Sequence, residues 1–343
     1  MAHYNVETPR IFTDIGLYAK TNGFLDTTSS TPGYFNLDPT ITKSIPWFYA
    51  PYFSEAVKLR FIEGYEPLTT GIQAVFFLGC KAKTFSPIVP DASEIIWGGS
   101  VGIAHNLGLM DFGWAYMASS NFSAYSLTTV NGILEPNGID VKGLGDGPWN
   151  QGEIQLNEVS TCCMYEFQHA AEFNMTMTQS NESINTVETK SGKTFVNQGW
   201  SSPPMWGELA PWQNTSPYND PTPHNAVKNK PGLGNTFRRS WNLNFSYLDK
   251  NVTSKGLWPS NYTNKFGFFD VVERRGEVTY NGILDDFTNK VINLTNGFAL
   301  PVIFQPDKNY HEFAICKIES ESFSATCVSP GFFDVQLTLR EIW

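Results

Sequence analysis

At 343 residues, with hydrophobic side chains at 41%, aromatics at 15% and charged residues at only 16%, the chain can build a large core and lacks the composition of a disordered polymer. Its net charge is −10, and Lys and Arg are scattered apart from Arg238-Arg239 and Arg274-Arg275, which argues against a nucleic-acid-binding role. No run approaches the ~18 apolar residues of a membrane-spanning helix, and the polar opening Met1 to Pro9 reads as neither a secretion signal nor an anchor.

The length favours two domains. Before residue 60 the sequence predicts one helix, Thr13 to Thr21, closed by Gly23, within a turn-rich region read as an N-terminal arm (residues 1–60). Helical periodicity is otherwise almost absent. Short strands are expected at Gln73 to Phe77, Glu94 to Trp97, Phe173 to Met177 and Leu300 to Phe304, between Gly, Pro and Asn punctuation. Ile184 to Val187 and Thr194 to Val196 read as a hairpin, since Ser191-Gly192 supplies the positive φ its turn requires. Seven prolines between Pro203 and Pro231 exclude a sheet interior, so residues 201–235 read as an extended connector between two β-sandwich-like domains, 61–200 and 236–343.

Beyond the connector, Trp241, Leu243, Phe245 and Tyr247 alternate with Asn242, Asn244 and Ser246, which places all four on one side of a strand as core candidates. Phe333, Val335, Leu337 and Leu339 repeat the pattern. A hairpin between His311–Ile318 and Ser322–Val328 would set Cys316 opposite Cys327, where a cross-strand disulfide is geometrically conceivable, although the sparse cysteines read as buried thiols. The fold class is therefore all-β.

Several constellations carry residue types that could do chemistry. Gly98-Gly99-Ser100-Val101-Gly102 has the spacing of a nucleophile elbow after a strand, but the helix such an elbow feeds is missing, because Ile103 to Met110 reads as another strand. Gly143-Leu144-Gly145-Asp146-Gly147 runs into Pro148-Trp149 where a phosphate loop needs a helix N-terminus. His169 and Glu172 fall on opposite faces if Gln168 to Thr178 is a strand. Asp307, Asn309 and Glu312 carry oxygen ligands without the glycine or the length of a calcium loop, and the histidines lack metal-ligand spacing. The expectation is a non-enzyme with no cofactor and no metal. Trp149, Trp206 and Trp212, with Met205, lie in loop-like sequence, where tryptophans either anchor a protein interface or stack on sugars; interface packing is the preferred reading.

The run Arg238-Arg239-Ser240-Trp241-Asn242-Leu243-Asn244-Phe245-Ser246-Tyr247-Leu248 resembles a segment of virion structural proteins from marine and cyanobacterial tailed phages. Leu300 to Asp307, Phe313 to Cys316 and Val335 to Trp343 resemble that family's closing strands, with a weaker likeness at Pro203 to Glu208. The likeness covers roughly residues 190–343. It implies a tail, tail-tip or baseplate subunit, assembled in the host bacterial cytoplasm and partnered by other tail proteins and by copies of itself, with a C-terminal domain like the β-domains that ring a tail tube. The alternative is a receptor- or glycan-binding tail protein that contacts a host-surface glycan.

Overall fold

The computed structural model describes residues 8–30, 48–51, 57–62, 65, 71–82, 95–98, 103–105, 108–110, 115–116, 121–127, 138–143, 151–156, 158–172, 176–181, 184–198, 208–209, 237–249, 256–257, 269–274, 277–283, 286–319 and 323–342. Just over half of these residues are strands, and every pairing between the strands is antiparallel, so the chain is all-β. No helix among the described residues is long and apolar enough to cross a membrane.

Ten strands position the site: β1 (Arg10–Asp14), β2 (Ala74–Ala82), β3 (Asn121–Leu127), β4 (Glu158–Glu166), β5 (Thr176–Asn181), β6 (Phe237–Asp249), β7 (Val302–Gln305), β8 (Ala314–Ile318), β9 (Ser324–Ser329) and β10 (Phe332–Glu341). One sheet runs in the order β5-β6-β10-β8-β7-β1-β4-β2, with further strands beyond. The β5-β6 end folds back over the middle of the sheet. After β4, residues 167–172 turn back onto β6: the Glu172 N–H donates to the Asn244 carbonyl at 2.9 Å, and β5 then pairs with the start of β6. A flat sheet would hold β6 and β7, three ladder spacings apart, about 14 Å from each other. Instead the Trp241 ring meets Phe304 edge-on at 5.3 Å, and Phe167 stacks on Phe245 at 4.2 Å. The strands therefore curl into a barrel-like wall around an aromatic interior, into which Phe287 and, from the π-helical segment it precedes (Thr288–Asn293), Val291 also pack.

β1 lies in the middle of this sheet, between β7 and β4. Residues 10–14 of the expected arm are thus integral to the core, and through them the strands on both sides of the connector belong to one sheet. Alternation on β1 serves two cores: Ile11 faces the barrel interior, whereas Phe12 joins Phe76, Cys162, Ile303 and Phe313 on the outer face. The helix α1 (Ile15–Asn22) follows at once, as expected from the sequence. Asp14 caps it by accepting the Leu17 N–H at 3.0 Å, and Gly23, at φ +76°, closes it. Asp14 is fully buried; desolvation raises its carboxyl to about 6 in spite of hydrogen bonds that pull the other way.

Other expectations meet the structure as follows. The strands near 73–77, 94–97 and 300–304 are present, and Ile184–Glu188 pairs with Thr194–Gln198 around Gly192 at φ +80°. The hairpin joining 311–318 to 322–328 is corrected. β8 and β9 do not pair with each other; they lie end to end along the same edge of β10, and the tight turn is instead at Pro330-Gly331, where Gly331 takes φ +87°. Cys316 therefore sits opposite Val302 and Glu341, buried, while Cys327 sits opposite Phe333, exposed, and both are free thiols. Within the connector, Glu208–Leu209 pairs with Ala115–Tyr116 rather than lacking sheet partners; this proline-free stretch between Pro204 and Pro211 keeps the N–H groups a ladder needs.

Candidate interaction surface at the end of the barrel

β6 is the strand on which inside and outside change places. Trp241, Leu243 and Phe245 point into the barrel, paired with Leu339, Leu337 and Val335 of β10. The next inward position is not Tyr247. The register advances three residues on β6, from Phe245 to Leu248, against two on β10, from Val335 to Phe333. This β-bulge hands the buried position to Leu248 and turns Tyr247 outward, 67% exposed. Tyr247 is therefore corrected from a core residue to a surface one, while the other three core candidates are buried.

The bulge puts Tyr247 at φ +58°, a left-handed conformation that costs an ordinary residue about 1–2 kcal/mol. Side chains from distant segments hold it there. The Asp334 carboxylate accepts the Tyr247 N–H at 3.0 Å, and the Ser246 hydroxyl donates to Glu172. Gln168 clamps the next residue but one, donating to the Asp249 carbonyl at 2.7 Å and accepting its N–H at 2.9 Å. His169 directs Nε2 at the Ser246 carbonyl (2.9 Å) and Nδ1 at the Ala170 carbonyl (2.7 Å). His169 and Glu172, separated by the strand reading of the sequence, thus converge on Ser246, because residues 167–172 run as a non-strand crossover.

By register, the turn that joins β9 to β10 lies beside this bulge. Phe332 pairs with Asp249 and with Ser329, and Phe332, Val328 and Cys327 are exposed while Phe333 packs toward the core. This end of the barrel therefore presents Tyr247, Phe332 and Val328, with the Asp334 carboxylate on the Tyr247 N–H. No family model, no curated protein and no solved structure matches the chain. The surface must be read from its own chemistry.

The opposite end of β6 is sealed by charge. Arg239 is buried, with Nε and Nη2 on the two Glu341 carboxylate oxygens at 3.1 and 2.9 Å, Nη1 on Glu312 at 2.6 Å, and its guanidinium 5.0 Å from the Trp241 ring centroid. Burial works against its charge, but Glu341 and then Glu312 outweigh it, so the guanidinium is held protonated more firmly than usual. Glu312 is thereby engaged in the interior, and Asp307 accepts the Asn309 N–H at 2.9 Å within its own turn, so the trio weighed for calcium does not converge. Among the described residues, no three His, Cys, Asp or Glu gather as metal ligands.

Ile95–Gly98 pairs antiparallel with Ile103–His105, so a strand, not a helix, follows the Ser100 segment. Ser100 itself lies outside the described residues, as do Trp149, Met205, Trp206 and Trp212. Nothing in the spacing around Tyr247 signals the bulge; the nearest hint is Asp334, at an outward position among apolar neighbours, but its partner lies 87 residues away.

Proposed function

We propose that this chain is a structural subunit of a tailed-phage virion, placed in the tail, tail tip or baseplate, that works by binding neighbouring subunits. The observation that carries the reading is the bulge on β6: an aromatic side chain is held outward in a strained conformation by polar groups from two segments distant in sequence, Asp334 and residues 168–172, an arrangement that serves contact better than stability. It is formed within the Arg238 to Leu248 run on which the family likeness rests, and the β10 strand beside it carries the likeness at Val335 to Glu341. A surface poor in charge and rich in Asn, Ser and Thr suits extended protein contacts. The test is to locate the chain in a density map of the intact virion and to measure its copy number in purified tails. A fixed stoichiometry is expected; absence from purified particles would refute the reading.

A second reading has one observation in its favour. The exposed Tyr247 ring, with Asp334 on its N–H and His169 on the neighbouring Ser246 carbonyl, has the makings of a sugar platform, an apolar face beside hydrogen-bonding groups. Binding of host-surface polysaccharide by the isolated chain, lost in Tyr247→Ala, would favour a receptor-binding tail protein instead.

A further inference from the structure

A thiol, an amine and a carboxamide from three distant segments meet at Gln73. Its Oε1 accepts from Lys290 Nζ at 3.1 Å and from the Met164 N–H at 3.0 Å, and the Cys163 thiol is directed at the same atom from 3.9 Å. The fold fixes each of the three. Gln73 stands just before β2 and is tied to β4 by its own N–H, which donates to the Cys162 carbonyl at 2.8 Å. Cys163 and Met164 are consecutive on β4. Lys290 lies on the π-helical segment, where the Thr13 hydroxyl donates to its carbonyl at 2.7 Å, and its Nζ also donates to the Met164 carbonyl at 2.8 Å. Cys163 is fully buried and Lys290 is 5% exposed.

An amide is inert until its oxygen is polarised and a nucleophile is held beside its carbon. Here a backbone N–H and the Lys290 nitrogen both donate to that oxygen, the arrangement that stabilises the oxyanion of a tetrahedral intermediate. With a carbonyl bond of about 1.2 Å, the Gln73 Cδ lies within about 5.1 Å of the Cys163 Sγ and about 4.3 Å of the Lys290 Nζ. Burial keeps away water, the competing nucleophile, and makes a charged lysine costly to keep. We infer that Gln73 and Lys290 become joined by an isopeptide bond, with Cys163 carrying the acyl group between them. The Cys163 sulfur attacks Cδ, the Cδ–Nε2 bond breaks, and the thiol proton leaves with that nitrogen as ammonia. The Lys290 ammonium gives its extra proton to the ammonia. Its nitrogen then displaces sulfur from the thioester, and a second proton passes from that nitrogen to the sulfur, restoring the thiol. The balance is one ammonium released, with no oxidant consumed. A buried cation becomes a neutral amide, and the new bond ties residues 217 positions apart, on either side of the 201–235 connector.

Intact mass spectrometry of the denatured full chain tests it. The wild type should weigh one ammonia less than its sequence, and a tryptic digest should hold residues 61–81 joined to 276–308, with no cleavage after Lys290. Lys290→Arg should restore the full sequence mass, and Cys163→Ser should slow formation of the bond by about tenfold or more. The wild-type measurement stands whether or not the variants fold. A wild-type chain at full sequence mass overturns the inference. So does a loss of ammonia without the branched peptide, as from a succinimide at an Asn-Gly pair, or a hydroxylamine-sensitive link to Cys163 in place of the link to Lys290. A bond that forms at the wild-type rate in a folded Cys163→Ser chain would overturn the role of the thiol.

Discussion

The two halves of β6 solve opposite problems within one strand of 13 residues. From Arg239 to Phe245 the strand buries everything on its inner side and closes its outer end with a guanidinium held by two carboxylates. From Ser246 to Asp249 it gives up one position of alternation, accepts a left-handed residue and relies on hydrogen bonds from side chains far away in sequence. The first half is stabilised by desolvation of apolar surface, which is additive and hard to perturb locally. The second is stabilised by geometry, which fails if one partner moves. Substitutions in the first half should therefore unfold the barrel, and those in the second should alter contacts while leaving it standing.

The largest effect is expected at Glu341. Glu341→Ala takes from the buried Arg239 charge the carboxylate that holds it through two oxygens and leaves Glu312 on Nη1, and breaking a buried pair from one side costs about 3–5 kcal/mol. Urea unfolding should show the loss as a lowered midpoint with an unchanged slope. Leu243→Ala follows, removing a fully buried side chain opposite Leu337 at about 2–5 kcal/mol. An unchanged melting temperature in either variant would contradict the division drawn here.

Asp14 sharpens the contrast from outside β6, because it is a buried charge without Arg239's compensation. Its carboxyl sits at about 6 against an ordinary 3.8, with desolvation the leading cause, and one of its oxygens has no hydrogen-bond partner among the described residues. The folded state thus binds the proton more tightly than the unfolded one. The contribution to stability is fully present below pH ~4 and is lost as pH rises through about 6, an effect of at most about 3 kcal/mol. Asp14→Asn keeps a good helix cap and removes the charge, so it should raise the Tm at pH 7.5 and leave it nearly unchanged at pH 4. A Tm that falls at both pH values would show that the carboxylate does something the amide cannot.

How far these features were legible in the sequence follows from the range of the interactions. Period-two alternation reads one strand at a time, so it found β6, β10 and the hairpin around Gly192, and it found the inward set up to Phe245. It could not find the bulge, because the contacts that stabilise it come from Asp334 and from residues 168–172, which only the curled sheet brings to Ser246 and Tyr247. Misplacing the 311–328 hairpin had the same origin. Cys316 and Cys327 invite pairing in sequence, but Pro330-Gly331 makes the tighter turn, and β10 is long enough to take both β8 and β9 on one edge. Burial of β1 was hidden for a different reason: five residues are too few to show a period, and both of its faces are covered, so Ile11, Phe12 and Thr13 show no alternation at all.

The smallest expected change in stability carries the most information about function. Tyr247→Gly removes a side chain that is mostly in water and replaces it with the residue that tolerates φ +58° best. The relief of strain, about 1–2 kcal/mol, is partly offset by the extra backbone freedom of glycine in the unfolded chain, so the net change should be a stabilisation of about 1 kcal/mol or less. A side chain chosen for the fold would not behave this way: its removal would lower the Tm. If Tyr247 is there for contact, the glycine variant should melt at or slightly above the wild-type temperature and yet fail to incorporate into tails at the wild-type copy number. Incorporation at wild-type levels with a raised Tm would leave the strained tyrosine without a role in assembly and would turn attention to polysaccharide binding, where the same variant should then show the loss.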